Sequence, residues 1–150
     1  MPNTPPTPSP RIIQLPRIYD PRGSLSLVEE CRQVPFPIAR VYWIYDVPAG
    51  EERGAHSHRE LHQLLVAVAG SFDIELFDGF STERHTLNRP FTGLHLQPGV
   101  WSKMTNFSSG CVVMSIVSAP YDEAEYIRDY EEFLQIAAAN GPILNPAKPQ

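Results

Sequence analysis

The sequence predicts an all-β chain: an antiparallel barrel or jelly roll followed by one short C-terminal helix. Two observations carry this. From Ser24 to Val117, short apolar or alternating runs recur between Gly, Pro, Asn and Asp turns, the rhythm of sandwiches and barrels. Helical periodicity occurs once, after Asp129. A length of 150 residues suits one such domain and suffices for a core without disulfide staples.

The elements follow in order. Residues 1–10, MPNTPPTPSP, are rich in Pro, Ser and Thr and predict a disordered tail. The folded domain is expected over 11–140. Ser24–Glu30 reads as a strand, with Leu25 and Leu27 on one face. Arg40–Val47, RVYWIYDV, is aromatic and β-branched, the clearest strand of the chain. Leu64–Ala69 is apolar throughout, which predicts a strand buried on both faces. Ser71–Phe77 alternates at Phe72, Ile74 and Leu76 and turns at Asp78-Gly79. Arg84–Asn88, Leu94–Leu96, Lys103–Phe107 and Cys111–Val117 continue the series. Asp129 followed by Glu132 predicts a capping box. Phe133, Ile136 and Ala137 supply an apolar stripe, and Asn140-Gly141 a stop. Residues 141–150 hold three prolines and read as a second loose tail.

Composition excludes several function classes. A net charge of −5 and a pI of about 5.5 argue against general nucleic-acid binding, which needs a basic face. A diphosphate ligand needs only one or two placed arginines. No run of about 18 apolar residues is present, so no membrane helix is expected. The N-terminus lacks the segments of a signal peptide. Cys31 and Cys111 do not make a disulfide framework and read as free thiols of a cytoplasmic protein.

The chemistry concentrates between Gly50 and Gly70, GEERGAHSHRELHQLLVAVAG. Strand alternation puts residues i and i+2 on one face, so His56 and His58 are predicted to point together into the barrel. The spacing Gly50, His56, His58, Gln63, Gly70 is that of the first cupin signature, with Gln63 where metal-binding cupins have Glu. The second signature falls at Gln97–Asn106, QPGVWSKMTN. There Gly99 and Asn106 fit, and Ser102 replaces the histidine that is the last metal ligand. An amide and a hydroxyl are poor replacements for those ligands, so no metal is predicted.

Further strings, DPRGSL at Asp20–Leu25, RVYWIYDV, RGAHSHRELHQ at Arg53–Gln63, NFSSG at Asn106–Gly110 and YDEAEYIRDYEEF at Tyr121–Phe133, together resemble the dTDP-4-keto-6-deoxyglucose 3,4-ketoisomerases. The resemblance covers roughly residues 12–134. It implies a metal-free, cofactor-free isomerase that moves a ketone from C4 to C3 of a dTDP-linked sugar, supplying 3-amino-3,6-dideoxy sugars. It implies His56 as the base near C3, Tyr42 as a second proton-handling residue and His58 in support. It places Arg22 in the sugar pocket and implies a homodimer, with Arg11–Ile18 a candidate for exchange between subunits. Ser102 departs from the His or Arg of the family, which leaves the galacto or gluco configuration at C4 open.

The residues suit that reaction. A proton on C3 is α to the C4 ketone, and histidine's ordinary pKa of about 6.5 matches the task of removing it. The enediolate needs donors, for which Arg22 and Tyr42 are candidates. Arg53 reads as a phosphate-binding or loop residue, Gln63 as a partner of a histidine or the sugar, and Trp101 and Ser102 as pocket residues. Each has a plainer reading: Tyr42 and Trp101 as packing, Arg53 as an ordinary ion pair, Gln63 as polar filler. His62 and His85 read as surface or packing residues, and His95 is open. Asp122, Glu123 and Glu125 read as a solvated acidic face. A sugar-nucleotide epimerase and a non-catalytic sugar-binding cupin are the competing functions; Gln63 and Ser102 disfavour a metal-dependent dioxygenase.

Overall fold

The computed structural model describes residues 11–144. Twelve strands and one helix follow in order: β1 Ile12–Gln14, β2 Arg17–Ile18, β3 Leu25–Ser26, β4 Arg40–Ile44, β5 Arg53–His58, β6 Gln63–Ala69, β7 Phe72–Phe77, β8 Thr82–Leu87, β9 Thr92–Leu96, β10 Trp101–Thr105, β11 Val112–Val117, β12 Tyr126–Ile127 and α1 Tyr130–Asn140. Two five-stranded antiparallel sheets face each other, with orders β1-β9-β6-β11-β4 and β12-β5-β10-β7-β8. The pairs β4·β11, β5·β10, β6·β9 and β7·β8 are nested. One long hairpin has thus been rolled so that alternate pairs fall in opposite sheets, which is the jelly-roll topology. The all-β fold class is as expected. Among the described residues, no helix is long and apolar enough to cross a membrane.

Period-2 alternation decides which face each side chain takes. On β6, Leu65 and Ala67 join the core between the sheets, with Phe72, Ile74 and Leu76 of β7. Leu64 and Val66 face outward and are buried against Leu15, Val34 and Phe36. That is why this strand reads apolar without alternation. On β4, Tyr42 and Ile44 turn inward, while Val41 and Trp43 are exposed.

α1 begins where expected. The Asp129 carboxylate accepts from Glu132 N–H at 2.9 Å. The reciprocal half of the capping box is replaced: the Glu132 side chain accepts from Arg59 at 2.7 Å. Phe133 and Ala137 bury against Ile127, Phe77 and Trp101, so the helix covers the outer face of the second sheet.

Two expectations need correction. Ser24–Glu30 contributes only Leu25–Ser26, paired with Arg17–Ile18, because no other strand reaches it. β1, β2 and β12 are too short to carry a periodic signal. The second correction is the tail: Gly141–Leu144 is not loose. The buried Asp78 carboxylate accepts from Ile143 N–H at 2.8 Å and Leu144 N–H at 2.7 Å with one oxygen. With the other it accepts from Phe80 N–H at 2.8 Å and Ser81 N–H at 2.7 Å. Burial raises its pKa, but the four amides outweigh burial and hold it below the ordinary value. The expected tails at 1–10 and 145–150 lie outside the described residues.

Asp78→Ala would strand four amides at once. We expect a loss of about 3 kcal/mol in urea unfolding at pH 7. A variant as stable as the parent would show that the carboxylate does not clamp the chain end.

Candidate active site

β5 is the central element of the site. It is hydrogen-bonded on one side to β10, with Ser102 opposite His56, and on the other to β12, with Tyr126 opposite His58. A bulge precedes the histidines. Gly54 has φ 92° and Ala55 φ 56°, and the register shifts between Ser102 and Lys103. A Cβ at Gly54 would stand 3.1 Å from the Ser102 carbonyl oxygen, so both the left-handed backbone and the close approach require glycine.

His56 lines a cavity of about 520 Å³ between the sheets, with Tyr42, Gln63 and Ser102 on its walls and Arg40, Arg53 and Arg128 also lining it. His56 Nδ1 lies 3.1 Å from the Gly54 carbonyl oxygen. A carbonyl only accepts, so Nδ1 carries the proton and Nε2 is left as a free lone pair. His58 lies behind it, 3% exposed, with ring centroids 4.9 Å apart. Neither ring nitrogen of His58 meets a partner among the described residues. Tyr126 packs on both rings, at 5.1 and 4.5 Å. Burial lowers the pKa of His56, opposed by the bond to Gly54 and aided by Arg128. Burial, then the charges of His56, Arg40 and Arg128, push His58 down to about 3. Both rings are neutral at pH 7, as a base must be before it acts.

Gln63 is buried, and its amide nitrogen donates to the Tyr42 hydroxyl at 2.9 Å and to Ser115 Oγ at 3.3 Å. Its partners among the described residues are thus a phenol and a serine rather than a histidine. The Arg40 guanidinium lies over the Tyr42 ring at 5.2 Å and over Tyr121 at 5.5 Å. Among the described residues no three His, Cys, Asp or Glu side chains converge as metal ligands.

Two expected pocket residues lie elsewhere. Trp101 neighbours Ser102 on β10, so alternation turns it outward, where it packs on Tyr130 and Phe133 beneath α1 at 5.1 and 5.3 Å. Arg22 sits in the β2–β3 hairpin with its side chain 91% exposed, bonded to Asp20 at 2.9 and 3.0 Å. It is absent from the cavity wall.

The acidic run is exposed at Asp122 and Glu123 and half-buried at Glu125, and its carboxylates are also bonded. Asp122 caps a single 3-10 turn over Glu123–Glu125 through Ala124 N–H at 3.0 Å. Glu123 receives Arg128 at 2.8 and 3.1 Å and the Tyr121 hydroxyl at 2.6 Å. Glu125 accepts from the backbone of Glu60 and, at 2.8 Å, Leu61. These bonds make a strap that delivers Tyr121, Tyr126 and Arg128 to the cavity. Sequence reasoning missed these three residues and Arg40. For Arg40 the signal was present: it shares the inward face of β4 with Tyr42.

His62 and His95 sit outside the barrel. His62 Nδ1 and His95 Nε2 are 3.0 Å apart, and both rings lie 5.7 Å from Phe36. Burial, then His62, lowers His95 to about 4.

A histidine held neutral by the fold takes up its proton on unfolding below about pH 6.5. Its folded pKa is depressed, so stability is full above that pH and falls as pH drops towards the folded value. Each such histidine contributes a slope of about 1.4 kcal/mol per pH unit. We expect the urea midpoint to fall steadily from pH 6.5 to 4.5, and the slope to flatten in His58→Gln and His95→Gln. A profile unchanged by both substitutions would contradict the assignment.

Comparison with known proteins is consistent with this geometry. A family described as FdtA: WxcM-like, C-terminal, matches residues 8–138. The TDP-4-oxo-6-deoxy-alpha-D-glucose-3,4-oxoisomerase of Aneurinibacillus thermoaerophilus is 44% identical over 128 residues, 85% of this chain and 92% of its own. A mutant of the 3,4-ketoisomerase QdtA from Thermoanaerobacterium thermosaccharolyticum, solved with TDP-4-keto-6-deoxyglucose, superposes with a TM-score of 0.84 at 38% identity, covering 85% of this chain and 93% of that one. The WlaRB TDP-quinovose 3,4-ketoisomerase of Campylobacter jejuni gives 0.80 at 46% identity, covering 83% and 95%. With 131 residues spanned by the family match from 8 to 138, the chain belongs to the FdtA (WxcM-like, C-terminal) family.

Proposed function

We propose that this protein is a sugar-nucleotide 3,4-ketoisomerase that converts TDP-4-keto-6-deoxyglucose to a TDP-linked 3-keto-6-deoxyhexose. The observation that carries the reading is the tautomer of His56: its Nδ1 proton is held by Gly54, and its other nitrogen is a free base beside a sugar-sized polar cavity. His56 removes the C3 proton, whose electrons form the C3–C4 double bond as the C4 carbonyl becomes an oxyanion. Tyr42 donates to that oxyanion. The O3 hydroxyl then returns a proton to Tyr42, C3 becomes the carbonyl carbon, and C4 receives the proton that His56 took from C3. The sum is an isomerisation with no net redox, so no electron-carrying cofactor enters the balance. Arg53 and Arg128 suit the diphosphate, and Arg40 faces the same cavity. Ser102 lies opposite His56 on the cavity wall, which supports a contact with the sugar, and His58 backs His56 as a neutral ring. The 3-keto product suits a following amino-transfer at C3. We place the reaction in the cytoplasm, in keeping with two free thiols.

We propose further that the chain works as a homodimer. The outer face of the β4-containing sheet exposes Val41, Trp43 and Val68, and an apolar groove of about 780 Å³ runs between it and the β2–β3 hairpin. The hairpin itself exposes Ile18, Tyr19 and Leu25. A second copy of the same surface would cover these side chains. A role for Arg22 at a sugar then calls for the cavity of the second copy, because Arg22 lies outside its own.

Two experiments test these readings. His56→Asn is expected to lower turnover by about two to four powers of ten while TDP binding holds, and to stop exchange of the C3 proton with deuterated water, followed by NMR. Exchange at the parent rate would remove His56 as the base; C3 or C5 inversion without a 3-keto product would mark an epimerase, and no change in the parent a sugar-binding protein. Light scattering is expected to give twice the chain mass at micromolar concentration, and Trp43→Glu to lower it; a monomeric parent would overturn the dimer.

A further inference from the structure

We infer that Gln63 is a positioning residue that sets the direction of the Tyr42 hydroxyl proton. The inference rests on the proton-handling role proposed for Tyr42 and goes beyond it, because Gln63 does not itself touch the reacting atoms. Its amide nitrogen is 2.9 Å from the Tyr42 hydroxyl oxygen and 3.3 Å from Ser115 Oγ. An amide nitrogen only donates, so the phenol oxygen accepts. Tyr42 has one proton of its own, and that proton cannot point back at the donor. Tyr42 lines the cavity, which is where its proton is then free to turn.

Three features hold this arrangement. Gln63 is buried at the first residue of β6, hydrogen-bonded between β9 and β11, with Leu96 and Val117 opposite. Ser115, also buried, takes up the other amide hydrogen, so the amide has little reason to rotate. The Arg40 guanidinium lies 5.2 Å from the Tyr42 ring centroid and holds that face of the ring by a cation–π contact. The choice of glutamine thereby acquires a second meaning. Glutamate at this position would give a metal site its anionic ligand. As a carboxylate it would also be acceptor-only and would take the Tyr42 proton for itself. Glutamine removes the ligand and reverses the hydrogen bond in one substitution.

The test is a double-mutant cycle on the full-length protein, with EDTA present throughout so that no metal can occupy His56, His58 and a new carboxylate. Gln63→Met keeps the length of the side chain and removes the donor. We expect it to lower kcat about tenfold or more with KM nearly unchanged, and to have no further effect in a Tyr42→Phe background. Gln63→Glu, nearly isosteric, is expected to lose activity at pH 8 and recover part of it as pH falls, since a protonated carboxyl regains a donor; the parent should show no such recovery. Equal losses from Gln63→Met with and without the Tyr42 hydroxyl would overturn the inference, and so would a Gln63→Glu pH profile parallel to the parent's. If Tyr42→Phe alone leaves kcat unchanged, Tyr42 handles no proton and the inference falls with it, while conversion of TDP-4-keto-6-deoxyglucose by the parent separately decides the ketoisomerase reading.

Discussion

The site depends on the pairing of β5 on both of its edges. β10 fixes Ser102 opposite His56, and β12 fixes Tyr126 opposite His58. A strand held on both sides cannot slip by one residue without exchanging its two faces. Such a slip would turn the histidines out and Ser57 in. The bulge at Gly54-Ala55 adds the local twist that brings the Gly54 carbonyl beneath His56 Nδ1. Register, bulge and tautomer are therefore one device: the backbone that places the imidazole also decides which nitrogen is bare.

The electrostatics of the cavity follow from where its cations sit. Arg40, Arg53 and Arg128 line it, against one lining carboxylate among the described residues, that of Glu52. Cations near a buried imidazole disfavour its protonation, so the arginines that suit a diphosphate also help keep His58 neutral. Glu123 moderates this from the strap. It holds Arg128 and Tyr121 in place, and its charge acts on His56 in the opposite sense to that of Arg128. Binding charge and base strength are thus coupled through the same side chains.

Much of the fold was legible in the sequence because alternation is a local signal. β4, β6 and β7 declare themselves by β-branched, aromatic or continuous apolar runs, and Asp129 announces the helix. The histidine pair was legible for the same reason: two residues at i and i+2 on a strand must share a face. What stayed hidden depends on contacts distant in sequence. β12 is two residues long and exists only through β5. Glu125 looks solvated until Glu60 and Leu61 are brought to it across the fold. Trp101 was expected in the pocket from its nearness to Ser102, yet adjacent strand residues face opposite ways, so that expectation conflicted with the rule that placed the histidines. Arg22 marks a different limit, since it lies in an exposed hairpin bonded to Asp20, and no local pattern tells whether a loop arginine faces its own cavity.

The Gln63 and Ser102 positions show how a barrel of this kind trades one chemistry for another. A metal polarises a carbonyl by charge and needs anionic or imidazole ligands. With glutamine and serine in those places, the proposed reaction relies for polarisation on hydrogen bonds, which are directional and must be aimed. Aiming requires a rigid second layer, and here it is built from the strands themselves: Ser115 on β11 and Gln63 on β6 stand in adjacent, paired strands behind Tyr42 on β4. Rigidity that would otherwise come from a coordination sphere comes instead from the sheet, and the Tyr42 hydroxyl inherits the order of three neighbouring strands.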